Sequence, residues 1–423
     1  MPSPDLLSFD EASALVAAYA AQRARFRPSV VRVTLARAAG RVLARPLRAD
    51  SDQPPFARST RDGFACRAAE ASRRRPLAVA GSTRAGQAPS GPLRPGTAWE
   101  IMTGAPVPAG ADAVMMLEHV ETGSGPAART VRLLPPRTIE KGENIVARGA
   151  QARKGSELLP AGTAIGAAQV ALMASCGCAE LPVFVRPRVA ILATGDELVP
   201  IRSRPGPGQI RNSNAPMLAA MVAAAGGEPW VLPVARDTAK ALDAALAKAA
   251  QADLLLITGG VSAGKFDLVE PALARVGARF HFTGVRIQPG KPTVFGERPR
   301  TGEAANQKPR SMQWFFGLPG NPVSSAVTFS LFAAPLLSAL AGRLGVGPRF
   351  ALACLAADVK AKPGLTRFLP AACDFAGREL QVALVPWQGS GDQPAMARAN
   401  CFVVVPEEAN RLCAGAIVRI LLL

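Results

Sequence analysis

Two stretches decide the fold: RVAILATGDE, from Arg188 to Glu197, and LLLITGGVSAGK, from Leu254 to Lys265. In each, an unbroken apolar run passes straight into a turn rich in glycine or hydroxyl groups. Apolar runs without period-two alternation belong to strands buried on both faces. Helical patterns lie between and after them. Asn212–Asn214 offers caps for a helix over Ala215–Ala225, a second helix falls near 238–250, and a third follows Gly264. Trp230–Val234 and Gln313–Phe316 read as further strands. Val285–Ile287 and Val294–Phe295 flank the turn Pro289-Gly290-Lys291-Pro292. The polar stretch 298–311 reads as an exposed hairpin tip, and a long apolar helix runs from about Val323 to Leu340. Strands alternating with helices predict a parallel sheet covered on both faces.

Outward from this centre the pattern changes. Residues 6–24 read as an amphipathic helix, with Ser8 as N-cap and Glu11 three residues on. A Pro-rich extended stretch, 46–62, ends at Asp62-Gly63. From 76 to 135, short β-like runs alternate with Gly/Pro turns and predict a small β lobe. Residues 136–180 are polar loop followed by an Ala-rich helix at 163–175. After Gly347 strands return for a C-terminal β domain.

Composition narrows the function. A chain of 423 residues exceeds one core and implies two to four domains. Gly (39) and Pro (38) make it rich in turns without low complexity, and 49% hydrophobic residues suit globular folding. Asp5, Asp10 and Glu11 interrupt the N-terminus, so no secretory signal is expected there. The uncharged stretches Ala161–Ala179 and Val323–Gly342 read as buried helices. Of seven scattered cysteines only Cys176 and Cys178 are close, with no partner at zinc-ligand spacing; reduced thiols in a cytoplasmic protein fit better. Two histidines, His119 and His281, exclude a His-rich metal site. Net charge of +18 suits nucleic acid, a membrane surface or an anionic ligand. One tyrosine, and no basic stripe interleaved with aromatics, favours the anionic substrate.

Ligands of open α/β sheets bind at the carboxyl ends of the strands. Gly259–Gly264 brings backbone amides to an anion at a helix start. With Lys265 it nearly matches a P-loop, but Phe266 replaces the metal-holding hydroxyl, which disfavours an ordinary ATPase. In Thr194–Glu197, Asp196 suits a turn cap, whereas Glu197 suits a metal or a proton transfer. Lys291, between prolines, is either a solvated side chain or a cation held on a rigid turn. In Pro319–Ser324 two prolines fix the turn, and Ser324 begins a helix. Together these loops point to a magnesium-assisted phosphoanhydride reaction.

The chain resembles the molybdopterin molybdenumtransferase family, MoeA in bacteria and the gephyrin E domain in animals. The resemblance rests on separated motifs in one order: Pro54-Pro55-Phe56 and Asp62–Ala65, Thr103–Pro108, Gly142–Ile145, Thr194–Leu198, Gly259–Gly264, Pro289–Pro292, Leu318–Ser324, Gly389–Gly391 and Ala399-Asn400. It implies a cytoplasmic homodimer whose subunit has a multidomain α/β plus β fold. An elongated N-terminal region (1–50 and 136–183) and a small β lobe (51–135) would flank a three-layer molybdopterin-binding α/β domain (184–342), followed by a C-terminal β-barrel-like domain (343–423). The implied reaction takes molybdate and adenylylated molybdopterin, cleaves the adenylate with Mg2+, and leaves molybdenum on the dithiolene. Candidate catalytic residues are Asp62, Glu197, Asp237, Asp267 and Lys291, with Glu197, Asp237 and Asp267 as Mg2+ ligands. Candidate substrate-binding residues are Thr103, Thr194, Gly195, Asp196, Asn214, Gly259, Gly260, Ser262, Pro292, Pro319, Gly320, Asn321, Pro322, Ser324, Arg367 and Ser390. Asp62 and Thr103 would come from the partner subunit, and other molybdenum-cofactor biosynthesis proteins are possible partners. Arg61, Gln151, Lys265, Gly284 and Gln288 depart from the family pattern, with Arg286 and Lys265 as nearby compensation. Rival readings are an adenylyltransferase or nucleotide hydrolase on the same α/β core, a scaffold that kept the fold without catalysis, and charge-driven nucleic-acid binding.

Overall fold

The structure, a computed structural model, describes residues 6–24, 28–124, 129–260, 268–300, 312–345, 347–376 and 379–423. The chain forms two compact units, one of residues 1–44, 162–166 and 181–423, the other of 45–161 and 167–180.

In the larger unit, helix α1 (Phe9–Ala24) opens with the expected capping box. Ser8 donates to the Glu11 carboxylate through both its amide (2.7 Å) and its hydroxyl (2.8 Å). These bonds hold the Glu11 carboxyl below its ordinary pKa. Leu7 forms a parallel bridge with Val285.

The central sheet contains β1 (Arg188–Ala193), β2 (Glu228–Val231), β3 (Leu254–Thr258), β4 (Arg279–Phe282), β5 (Val294–Pro299) and β6 (Met312–Leu318), in the order β2-β1-β3-β6-β5-β4. The first four are parallel, as expected, whereas β5 runs antiparallel to β6, and the edge strand β4 pairs antiparallel with β5. β2 begins two residues before the predicted strand. β4 went unread, because its sequence RFHF lacks the unbroken apolar run of a central strand. Helices α2 (Asn214–Ala224), α3 (Ala239–Ala249) and α4 (Val269–Arg275) follow β1, β2 and β3.

Alternate residues of β1 face opposite layers, as a pleated strand requires. Val189 and Ile191 join Phe9 and Val16 of α1, and Leu218 of α2. Ala190 and Leu192 join Leu242 and Leu246 of α3, and Leu273 of α4. The helix Pro322–Leu340, α5, is 89% buried and is a core helix. It passes through a π segment at Phe329–Ala333 between two α segments.

The exposed tip expected at 298–311 is corrected at its start. Arg298 is 1% exposed. It donates to the Gln313 side-chain oxygen and the Leu246 carbonyl, both at 2.7 Å, while Gln313 donates to Ala249 and Ala252 carbonyls. The arginine caps the C-terminal turn of α3, where the helix dipole favours a cation. Burial brings its pKa down to about 10. Residues 301–311 lie outside the described residues.

The C-terminal strands β7 (Phe350–Leu355), β8 (Thr366–Ala376), β9 (Glu379–Leu384), β10 (Cys401–Val405) and β11 (Ile417–Leu422) close into a barrel, in the order β8-β9-β7-β11-β10 and back to β8. The short strand Ile287–Gln288 pairs with β8 alongside Thr366 and Arg367. Phe368, Phe402 and Leu421 of the barrel share the core of Phe9 and Phe332.

The smaller unit carries a six-stranded sheet in the order 113–116, 63–66, 97–101, 77–83, 129–133, 120–124, the β lobe expected from its turns. Gly81 leaves room for the Trp99 indole, whose N–H donates to Thr83 at 2.7 Å. In the stretch Ala161–Ala179 the helix is shorter than expected, Ala167–Ser175, and only Met173 within it is buried. Its alanines give it one narrow apolar stripe, so the expected buried helix is largely exposed. All seven cysteines are free thiols.

Candidate active site

The parallel strands end side by side, and their loops gather most of the candidate residues. A cavity of about 310 Å³ opens there. Thr194, Gly195 and Glu197 line it from the end of β1, and Asp237 from the segment before α3. Gly259 and Gly260 follow β3, Pro292 comes from the turn before β5, and Pro319, Gly320 and Asn321 from the turn after β6. A second cavity of about 920 Å³ shares Thr194, Glu197, Gly259, Gly320 and Asn321, and adds Asn214 and Pro322.

Local geometry explains two of the glycines. Gly195 has φ 144° and Gly259 has φ 90°, conformations that favour glycine. A side chain at Gly195 would run into the Glu197 carboxylate, and one at Gly259 into the Thr194 backbone carbonyl. The glycines therefore let the loops after β1 and β3 approach each other. The Asp196 carboxylate accepts the Asp237 amide at 3.4 Å, joining the segments that carry Glu197 and Asp237. Among the described residues, Thr194 Oγ1 and Asn214 Oδ1 are buried without a hydrogen-bond partner.

Glu197 and Asp237 are both exposed at the 310 Å³ cavity. Among the described residues no group of three His, Cys, Asp or Glu side chains is gathered to hold a metal. Two carboxylates on one cavity nonetheless suit Mg2+, which takes one or two protein carboxylates and completes its shell with water and substrate oxygens. Asp267, Ser262 and Lys265 lie outside the described residues.

Other candidates stand nearby or elsewhere. Lys291 is exposed on its turn, and its carbonyl accepts the Val285 and Thr293 amides. Ser390 ties the barrel to the crevice: its hydroxyl accepts from Asn321 at 2.7 Å and its carbonyl accepts the Val323 amide at 3.1 Å. Asp392 accepts the Gln388 and Ala395 amides, which fix this loop and hold its carboxyl below the ordinary range. Ser324 is 4% exposed inside α5 and lines neither cavity. Arg367 donates to the Lys362 carbonyl at 2.7 Å and also lines neither cavity. In the smaller unit the Asp62 carboxylate accepts the Thr103 amide at 2.6 Å, so these two candidates form one feature.

One departure from the family pattern, Gly284, gains a physical reason, and Arg286 does not compensate for it. A Cβ at Gly284 would collide with the Leu6 side chain. Arg286 donates to Glu407 at 2.9 Å and to the Leu6 carbonyl at 2.8 Å, so its guanidinium is committed to structure rather than to replacing a lysine. Gln151 is exposed, and its amide donates to the Gln53 carbonyl.

Sequence reasoning missed Thr258, Ser325 and the Ser213–Gln393 contact. Asn214 Nδ2 donates to the Thr258 hydroxyl at 2.8 Å and to the Gly320 carbonyl at 2.6 Å. Ser325 donates to the Pro319 carbonyl, and Gln393 Nε2 donates to the Ser213 hydroxyl at 2.5 Å. A threonine closing a β-strand satisfies β propensity, and nothing in its neighbours advertises a second role.

Comparison with known proteins agrees along the chain. Residues 7–177 match the model of the MoeA N-terminal region (domain I and II), 190–339 that of the probable molybdopterin binding domain, and 353–423 that of the MoeA C-terminal region (domain IV). A molybdopterin molybdenumtransferase from Bacillus subtilis (strain 168) is 35% identical, over 90% of this chain and 87% of that protein. One from Staphylococcus aureus (strain Mu50 / ATCC 700699) is 33% identical, over 93% of this chain and 91% of its own length. The crystal structure of a molybdopterin biosynthesis MoeA protein from Pyrococcus horikoshii OT3 superposes with a TM-score of 0.78 at 27% identity, covering 99% of this chain and 100% of that one. Fold and relatives together thus define a multidomain α/β transferase with a closed C-terminal barrel. The chain belongs to the molybdopterin molybdenumtransferase, or MoeA, family.

Proposed function

We propose that this protein inserts molybdenum from molybdate into adenylylated molybdopterin and releases AMP. The observation that carries this reading is the pair of adjoining cavities, one of about 310 Å³ lined by Glu197 and Asp237, with room for phosphate groups and a hydrated metal, the other of about 920 Å³, large enough for a ring system. Glu197 and Asp237 would hold Mg2+, which supplies charge neutralisation at the phosphoanhydride. Thr194 and Asn214 carry unpaired polar atoms at the same walls, where a ligand can engage them. Gly259 and Gly260 line the same cavity, where backbone can approach a phosphate closely. Lys291 supplies a cation for molybdate, a tetrahedral dianion.

The reading extends to a cytoplasmic homodimer, in which Asp62 and Thr103 would serve the partner's site. The exposure of Val30 and Val31, and of helix Ala167–Ser175, supports a covering partner. Sedimentation at micromolar concentration should give twice the 43.9 kDa chain mass; a monomer would remove this extension. For the activity itself, protein is mixed with Mg2+, molybdate and adenylylated molybdopterin, and AMP is followed by chromatography. AMP formation that depends on protein and metal is expected. Its absence with the wild-type chain overturns the transferase reading.

A further inference from the structure

We infer that Thr258 is a positioning residue for this reaction: its hydroxyl sets the spacing between the head of α2 and the Pro319–Asn321 turn, which wall the cavities. The inference rests on the proposed function for its assay and on the geometry for its content. Thr258 closes β3 directly before Gly259-Gly260 and is 2% exposed. Its hydroxyl meets three chain segments. It accepts from Asn214 Nδ2, at the start of α2, at 2.8 Å. It donates toward the Pro319 carbonyl at 3.3 Å, and it lies 3.4 Å from the Ser325 hydroxyl, which bonds the same carbonyl. Its backbone carbonyl accepts the Thr194 amide at 3.0 Å. One residue thereby registers the Thr194–Glu197 loop, the head of α2, and the Pro319–Asn321 turn against one another.

The network also fixes an orientation. Asn214 Nδ2 lies 2.6 Å from the Gly320 carbonyl, so a flipped amide would set Oδ1 against that carbonyl oxygen. Its Oδ1 is thereby committed as an acceptor and has no partner among the described residues. Removing the Thr258 hydroxyl would leave Asn214 with one acceptor instead of two and the Pro319 carbonyl with one donor instead of two. The buried methyl of a valine would fill the same volume. The expected consequence is displaced walls with an intact fold, and displacements of about 1 Å in a positioned site cost about 100-fold in rate.

The test compares wild type, Thr258→Val and Thr258→Ser by AMP release. Thr258→Val should lose about 10- to 100-fold in kcat with a smaller change in KM. Thr258→Ser should recover most of the rate, and both variants should keep the wild-type far-UV spectrum and melting temperature within a few degrees. A Thr258→Val enzyme with wild-type kcat overturns the inference. So does Thr258→Ser falling as low as Thr258→Val, since the hydroxyl would then not be the agent. If wild type itself releases no AMP, the transferase reading fails, and the same variants are compared for AMP binding by calorimetry. A weaker AMP affinity restricted to Thr258→Val then supports the positioning role, and equal affinities overturn it.

Discussion

Glu197 and Asp237 reach one cavity from segments forty residues apart in the sequence, and neither is buried enough to be structural. Glu197→Gln should lower AMP release by about 100-fold and Asp237→Asn by about 10- to 100-fold, with both variants needing more Mg2+ for half-maximal rate. A titration of rate against Mg2+ checks this, and unchanged curves would free both carboxylates from metal binding. Gly195→Ala should reproduce much of the Glu197→Gln loss, because the added Cβ meets the Glu197 carboxylate; rate assays with circular dichroism separate that from unfolding. His281 offers a pH prediction. Burial, with the Arg279 charge beside it, lowers its pKa below 6.5, and its Nδ1 pairs with the Tyr19 hydroxyl at 3.1 Å. A histidine held neutral in the fold leaves the unfolded chain binding more protons below pH 6.5. Its contribution is therefore complete above that pH and is lost as pH falls toward the folded-state pKa. Melting curves at pH 7.5 and 5.5 should show a smaller acid-induced drop for His281→Gln than for wild type.

At the scale of elements, what could be read depended on pattern strength. β1 and β3 fell where their apolar runs predicted, because a strand buried on both faces leaves no ambiguity of face. The edge strand β4 and its neighbour β5 carry arginine, histidine and glutamate, so their period resembles loop. Arg298 is the clearest instance. A lone arginine ahead of a polar run signals solvent, and only the fold brings Gln313 and the α3 carbonyls around it. The candidate loops were legible because glycine and proline mark turns at strand ends; Thr258 was not, because its role arises from partners distant in sequence. Arg298→Met should destabilise the larger unit by about 2–3 kcal/mol, as charged hydrogen bonds are lost and the Leu246 carbonyl is left unpaired. Urea titration checks this. The double variant with Gln313→Leu should cost less than the sum of the singles, since the partners belong to one network; strict additivity would show that Arg298 and Gln313 act independently.

At the scale of the whole molecule, each unit has its own core. Phe64 and Met115 centre the smaller one, and Phe316 and Phe332 the larger. Calorimetry should resolve two transitions. Phe64→Ala should lower one by about 3–5 kcal/mol and Phe316→Ala the other. If each substitution moves both transitions together, the units unfold as one. The larger core also has a consequence for how the chain is made. Phe9 packs edge-on against Phe350 and Phe368 and shares their core with Phe402 and Leu421, toward the opposite end of the chain. At ribosomal speeds of about 5–20 residues per second, the apolar face of α1 waits roughly 20–80 s for those partners to emerge. The smaller unit, complete at residue 180, can close long before. A nascent chain of this protein therefore carries an uncovered amphipathic helix behind a finished domain for most of its synthesis, a natural client for a chaperone at the exit tunnel.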